Sequence, residues 1–296
     1  MLDDLRHLLL VVEHGTFTAA AQHAHLSQPA FSASIQRLEE HFGAQLLLRG
    51  RRGASLTAAG RALLPRAQLA LNALSDGKRA IAELESLARG EVRIGAGATA
   101  ATYLLPPLLA HYRKSYPGVR IVMRELSTPA LEAQLAQGQL DLCVVSGPDG
   151  ETWQWDEFIL VAAPGSEWDM AQPDVPFITF GQGTTTRSVL EEYFPRAEIV
   201  MELGSIAAAK GHVREGMGVA LISRAAVGRD LSQGHLVELP HPQTPIPREL
   251  TLLHRGNESL PPAARALREL MLSWPCGEQP APPRKRSVKT RKKRLK

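Results

Sequence analysis

The sequence predicts an α/β protein. A small helical unit carrying a β-hairpin is joined by one long helix to a larger α/β body. Three observations predict this. Two helical patterns meet at a tight turn between Thr16 and Phe42, and a long helical pattern follows Thr57. From Glu91 onward, apolar runs of strand length alternate with helical stretches. The expected divisions are 1–58, 59–89, 90–276 and a tail over 277–296, with the α/β body itself split into about 90–161 plus 249–273 and about 162–248.

In the first unit, Leu5, Leu8, Leu9, Val12 and Phe17 form a stripe able to cover the helices that follow. The next segment, TFTAAAQHAHLSQPAFSASIQRLEEHF, reads as two helices. Phe17, Ala20, Ala21 and Ala24 give a small flat face, and Phe31, Ile35, Leu38 and Phe42 give a core-facing stripe. Ser27 is placed to cap the second helix, Pro29 falls in its first turn, and Gly43 ends it. The opposite face carries Gln28, Ser32, Gln36 and Arg37, with no carboxylate before Glu39. Such a helix suits a DNA major groove. An ordinary helical hairpin fits the same pattern.

The following segment, AQLLLRGRRGASLT, separates these readings. Leu46–Arg49 and Ala54–Leu56 read as strands around Gly50, Arg51, Arg52 and Gly53. This is a hairpin with two arginines at its tip, a wing able to reach phosphates or the minor groove. Three helices and a basic wing are far more specific than a helix pair.

Thr57 can cap the long helix, and Pro65 lies early enough to bend it without breaking it. Leu63, Ala67, Ala70, Leu74, Gly77, Ile81, Leu84 and Ala88 recur in steps of four and three, a narrow seam suited to pairing with a second copy. Packing on its own domain is the competing reading. A dimer would present two reading helices to a two-fold DNA site.

Strand-length runs follow at Val92–Ala98, Val119–Leu126 and Leu140–Val145. Helical patterns lie between them at Tyr103–Tyr116 and Pro129–Gln137. The alternation predicts a parallel sheet with right-handed crossovers. It restarts with strands at Phe158–Ala163 and Phe177–Phe180, a helix at Thr185–Phe194, a strand at Ile199–Leu203 and a helix at Ser205–Glu215. Strands at Val219–Ile222, Leu236–Leu239 and Leu250–His254 and a helix at Pro261–Leu272 close the body. Two such sets predict two lobes with a ligand cleft at the strand ends.

Hydrophobic residues make up 44% of the 296-residue chain, and no apolar run reaches membrane-spanning length. The start, MLDDLRHLLLVVEHG, does not read as an export signal, and two cysteines, Cys143 and Cys276, build no disulfide framework. These features lead to the expectation of a cytoplasmic protein. The net charge of +4 is unevenly placed. Nine of the 34 basic residues and one of the 30 acids lie in Gly277–Lys296, which leaves a net acidic remainder. The tail, with RKRSVKTRKKRLK, reads as a disordered basic segment able to add sequence-blind attraction to DNA phosphates, or simply to aid solubility.

Across nearly its whole length the chain resembles the LysR-type transcriptional regulators. The resemblance is carried by GTFTAAAQHAHLSQPAFSASIQRLEEHFGAQLLLR, by LTAAG after the wing, and by ELGSIAAAKGHVREGMGVALISRAAV. It implies a winged helix-turn-helix, a linker helix that dimerises, and a two-lobed effector domain like periplasmic binding proteins. It also implies promoter DNA bound by dimers or dimers of dimers under control of a small-molecule effector. Gln28, Pro29 and Ser32 match positions at base edges, Thr16 and Thr18 match positions beside the DNA backbone, and Arg49, Arg51 and Arg52 fall in the wing. The basic tail lies outside the usual pattern.

For the effector, Thr99 and Thr128 follow the first two strands of the body at helix starts, and family ligand contacts fall on those positions. Exposed N–H groups, the helix dipole and a hydroxyl there suit a small anion. Thr184, Thr185 and Thr186 precede one further helix and Ser205 another, and each threonine or serine could equally be a helix cap. Ser146 and Gly147 occupy a stretch where some members carry a charged ligand contact. The segment Gly150–Phe177, with Trp153, Trp155 and Trp168, is shorter than usual.

Other signals are weak. Gly95, Gly97 and Ala100 give a dinucleotide-type G-x-G-x-x-A after a strand, but no acid follows at the expected offset. The histidines, His23 and His25 included, have no metal-site spacing, and no nucleophile–base motif is present. The expectation is a regulator without cofactor, metal or enzymatic activity. A ligand-independent architectural DNA-binding protein and a nucleotide-dependent oxidoreductase built on GAGATA are the competing classes.

Overall fold

The computed structural model describes residues 1–50, 53–85, 90–168 and 175–275. The chain divides into two compact units. Of the described residues, the first holds those within 1–96, 109–143 and 254–270, and the second holds those within 97–108, 144–253 and 271–275.

The first unit opens with α1 (Leu2–His14), α2 (Phe17–His23) and α3 (Gln28–Phe42). Leu5, Leu8 and Val11 of α1 pack on Phe17, Ala20 and Ala21 of α2 and on Phe31, Ile35 and Leu38 of α3. Two expected core positions differ. Val12 is 41% exposed and Phe42 is 44% exposed, with Val11 and Ser34 buried instead. Phe17 opens α2, so it does not extend the α1 stripe. A left-handed Gly43, φ 63°, ends α3 and returns its N–H to Glu39 and Glu40 carbonyls.

Strands β1 (Leu47–Gly50) and β2 (Gly53–Leu56) form the expected antiparallel hairpin, with Leu47 opposite Leu56. Near its tip, the hairpin is fixed to the α1–α2 turn by a hydrogen bond from Ala54 N–H to Gly15 O, 2.8 Å. Gly53, φ 121°, approaches so closely that a Cβ would lie 2.4 Å from Gly15 O, which requires glycine.

The long helix α4 (Ala58–Glu85) starts as expected, with Gly60 N–H donating to Thr57 Oγ1 at 2.9 Å, and it carries Pro65 in its interior. Parallel strands β3 (Glu91–Ala96) and β4 (Arg120–Glu125) follow, flanked by α5 (Leu105–Ser115) and α6 (Thr128–Ala136). Strand β5 (Leu142–Ser146) runs from the first unit into the second.

The second unit is built on β6 (Glu151–Ala162), which pairs antiparallel with β9 (Ala220–Ser223), β10 (Val237–Glu238) and β11 (Ile246–Leu253). Strands β7 (Pro176–Phe180) and β8 (Glu198–Leu203) pair in parallel, and β7 joins β9 through Ile178 N–H to Val219 O at 2.8 Å. The sheet is therefore mixed, where an all-parallel one was expected. Alternation along the strands makes two cores. Ile159, Val161, Ile178 and Ile222 pack with α8 (Ile206–Arg214) and α9 (Arg224–Ser232). Phe158, Leu160, Phe177 and Leu221 pack with α7 (Thr185–Tyr193).

The sequence reading missed α9 and the first half of β6. Both omissions trace to Asp156. Charged Asp156 breaks the apolar run of β6, yet it is buried. Arg248 donates to it through Nε and Nη2 at 2.8 and 2.6 Å, and Ser223 Oγ donates at 2.6 Å. Its second oxygen accepts from Ala225 N–H, so the start of α9 is capped from a distant strand. Helix α10 (Pro262–Ser273) closes the chain as expected.

Candidate nucleic-acid interface

Thr16 and Ser27 make the helix-turn-helix. Thr16 Oγ1 accepts from Ala19 N–H at 3.2 Å and Ser27 Oγ from Ala30 N–H at 3.4 Å, so each hydroxyl starts one helix. Between them His25 takes a left-handed φ of 54°, which closes the turn. Thr18, Gln28, Pro29 and Gln36 are exposed, and Ser32 is half-buried. Gln28, Ser32 and Gln36 recur every four residues on α3, so they share one face.

Of the two acids of α3, Glu39 is drawn away from that face, while Glu40 lies four residues beyond Gln36 and is paired with it. Glu39 Oε1 accepts from Leu46 N–H at 2.8 Å and Leu47 N–H at 3.2 Å, and thereby ties α3 to the first strand of the wing. Glu40 accepts from Gln36 Nε2 at 3.0 Å. Arg37, assigned to the base-reading group from sequence, donates to Asp4 of α1 at 2.7 Å, although its side chain stays 60% exposed. Arg49 lies with its guanidinium carbon 4.1 Å from the Phe17 ring centroid, which holds this wing arginine against the start of α2. Arg51 and Arg52 lie outside the described residues, as does the basic tail.

Sequence reasoning did not find the bracing of this unit by Glu39, Arg37 and Phe17. The acids had no apolar context to mark them, and the Arg49–Phe17 stack joins residues 32 positions apart.

Along α4 the heptad residues divide. Ala67 is buried and Leu63 partly buried against the unit's own core. Ala70, Leu74 and Ile81 are exposed, the last two by 44% and 69%. The side chain of Leu84, and Ala88, lie outside the described residues.

The expected effector residues are placed as follows. Thr99 lies in the helical turn after β3, is 8% exposed, and leads into a π-helical turn, Ala100–Leu104. Thr128 is the first residue of α6. Thr184 caps α7, accepting from Arg187 N–H at 3.3 Å and donating to Gly181 O at 2.9 Å. Thr185 is the first residue of α7. Ser205 caps α8, accepting from Ala208 N–H at 3.2 Å. The capping alternative thus describes Thr184 and Ser205 as they stand. Gly95, part of the dinucleotide-like motif, has a packing reason to be glycine: a Cβ would lie 2.4 Å from Leu131. Among the described residues, no group of three His, Cys, Asp or Glu side chains could hold a metal, and no helix is long and apolar enough to cross a membrane.

A helix-turn-helix with a wing, carried on a long helix ahead of a ligand-binding type of α/β domain, defines a transcription regulator. Residues 2–61 match the family described as "Bacterial regulatory helix-turn-helix protein, lysR family", and residues 85–275 match the "LysR substrate binding domain". The chain belongs to the LysR-type family of transcriptional regulators, which are not enzymes. A relative from Nostoc, named "Probable RuBisCO transcriptional regulator", is 33% identical over 92% of this chain and 87% of its own. Among solved structures, full-length OxyR from Pseudomonas aeruginosa superposes with a TM-score of 0.67 at 23% identity, covering 92% of this chain and 93% of that one. DarR from Vibrio fischeri, solved in complex with DNA, gives 0.56 at 19% identity, covering 92% of this chain and 98% of that one.

Proposed function

We propose that this regulator reads double-stranded promoter DNA as a homodimer or a dimer of dimers in the cytoplasm, and that a small anionic metabolite controls it. The observation that carries the DNA reading is the exposed face of α3. Gln28, Ser32 and Gln36 share it, its first turn holds no acid, Glu39 is engaged by the wing strand, and Glu40 is paired with Gln36. Amide and hydroxyl groups of this kind pair with base edges in the major groove. Thr16, Thr18 and Arg49 are assigned to the phosphate backbone and the wing contact, with Arg51 and Arg52 at the wing tip and Pro29 against the bases. Arg37 both braces α3 and lines the reading face.

Dimerisation is assigned to the outward stripe of α4, where Ala70, Leu74 and Ile81 are exposed apolar residues, continued by Leu84 and preceded by Leu63 and Ala67. The effector is assigned to Thr99, Thr128, Thr184, Thr185 and Ser205. All five stand at helix starts, where unpaired N–H groups and the helix dipole favour negative charge.

The relatives' name makes DNA upstream of RuBisCO genes the first promoter to test. Fluorescence anisotropy of the full chain on that DNA and on DNA upstream of its own gene, with and without small carboxylates, phosphate and sulfate, tests the reading. Sequence-specific binding that one of these anions shifts is the expected result. Specific binding that no anion changes, with no anion raising the melting temperature, would leave an architectural DNA-binding protein. No specific binding to either DNA would refute the reading for these promoters.

A further inference from the structure

Helix α4 is amphipathic in an inverted sense beyond Leu71. Leu74, Gly77 and Ile81 point outward, while the opposite face, Asn72, Asp76 and Arg79, packs on the start of the effector domain within the first unit. From Asn72 to Ile81, the one buried residue of α4 is Asp76. Among the described residues, charge and hydrogen bonding therefore dominate the docking of this half of the helix.

Two carboxylates and three guanidiniums make the contact. Asp76 Oδ1 accepts from Arg79 at 2.7 Å and from Arg93 of β3 at 2.5 Å, and its Oδ2 accepts from Arg255 at 2.7 Å. Asp141, with its side chain fully buried, accepts a two-pronged bond from Arg79 at 2.7 and 3.2 Å. It also accepts from Arg93 Nη2 at 3.0 Å and from Arg93 N–H at 2.8 Å. The arginine side chains are 14, 16 and 20% exposed. Burial alone would raise the Asp141 pKa, but hydrogen bonds and charge from Arg79 and Arg93 hold it below the ordinary carboxylate value. Asn72 Nδ2 adds a hydrogen bond donated to Gln137 O at 2.5 Å, and Arg79 donates to Glu91 O at 2.8 Å.

We propose that this cluster is the joint that positions the DNA-reading unit, with Asp76 as its central positioning residue. It fixes α4 to β3 of the effector domain, while leaving the apolar face of α4 free for a second copy. Two consequences follow from the charges. The cluster carries one excess positive charge, so removing Asp76 leaves three clustered cations facing one carboxylate. The helix is then repelled from its seat, where trimming an apolar contact would merely loosen it. Removing Arg255 strips one oxygen of Asp76 of its partner while leaving the charges balanced.

The test uses the full chain with Cys276→Ser, spin labels at Lys78→Cys on α4 and Glu132→Cys on α6, and dilution with unlabelled chain to suppress distances between copies. Pulsed electron–electron resonance should give a single narrow distance for the parent. Asp76→Asn should lose it, giving a broad or split distribution while circular dichroism still reports a folded chain. Arg255→Gln should broaden it less. A narrow, unshifted distance in folded Asp76→Asn, whatever its melting temperature, would overturn the proposal, because a merely structural cluster lowers stability without freeing the helix. Should Asp76→Asn fail to fold, Arg255→Gln decides alone: broadening supports the joint and an unchanged distance refutes it.

Discussion

Asp4 of α1 and Arg37 of α3 form an ion pair, Oδ1 to Nη2 at 2.7 Å, that fixes the first helix to the third. The carboxylate is 8% exposed. Burial pushes its pKa up, but hydrogen bonds from the Met1 ammonium and Arg37 outweigh this and hold it below the ordinary value. A depressed folded pKa contributes stability that is complete above the unfolded value of about 3.9 and is lost as pH falls through the folded one. Arg37→Ala should therefore destabilise the chain by about 1 kcal/mol at neutral pH, a figure kept small because the arginine is solvent-screened. The gap from the parent should shrink as urea unfolding is repeated toward pH 3. A gap independent of pH would contradict this role for the pair.

Glu39 should set the wing. Glu39→Ala removes the acceptor for Leu46 and Leu47 N–H, with an expected cost of about 1–3 kcal/mol, whereas Glu39→Gln keeps an acceptor and should recover most of it. Thermal unfolding, with hydrogen exchange read at the Leu46 and Leu47 amides, checks both variants. Unchanged protection of those amides in Glu39→Ala would count against the tether.

Cys143 should be inert. Its side chain is buried in β5 and burial pushes its thiol up to about 12, so almost no thiolate forms near neutrality. Iodoacetamide at pH 8 should leave Cys143 unmodified in the native chain and alkylate it after urea unfolding, as read by peptide mass spectrometry. Rapid native modification would reopen a redox role.

Leu74→Glu with Ile81→Glu should dissociate the proposed dimer without unfolding the chain, since both side chains are exposed in the single copy. Sedimentation velocity should show a shift toward monomer. A dimer of unchanged mass would move the interface elsewhere.

Much of this architecture was legible because the signals were local. The caps at Ser27 and Thr57, the wing around Gly50 and Gly53, and the strand–helix alternation each depend on neighbours within a few residues. What escaped was non-local. Asp156 caps α9 from another strand, and Asp76 meets Arg255 across 179 positions, so neither has a sequence period. The heptad seam on α4 was legible only as a pattern. Its spacing could not tell that Ala67 turns inward while Ile81 faces out, because that depends on where the helical unit's core ends. At the effector positions, a threonine at a helix start has the same sequence signature whether it caps or binds, and Thr184 is seen capping.

The central claim is that the exposed face of α3 reads bases. The most direct measurement is the ratio of dissociation constants for promoter and random DNA, at one fixed salt concentration, for the parent, Gln28→Ala and Ser32→Ala. Removing a base-edge contact should cost about 1–3 kcal/mol of discrimination. The ratio should then fall by about tenfold or more for Gln28→Ala, while binding to random DNA barely changes. If both variants keep the parent's ratio, α3 does not read the promoter through these residues.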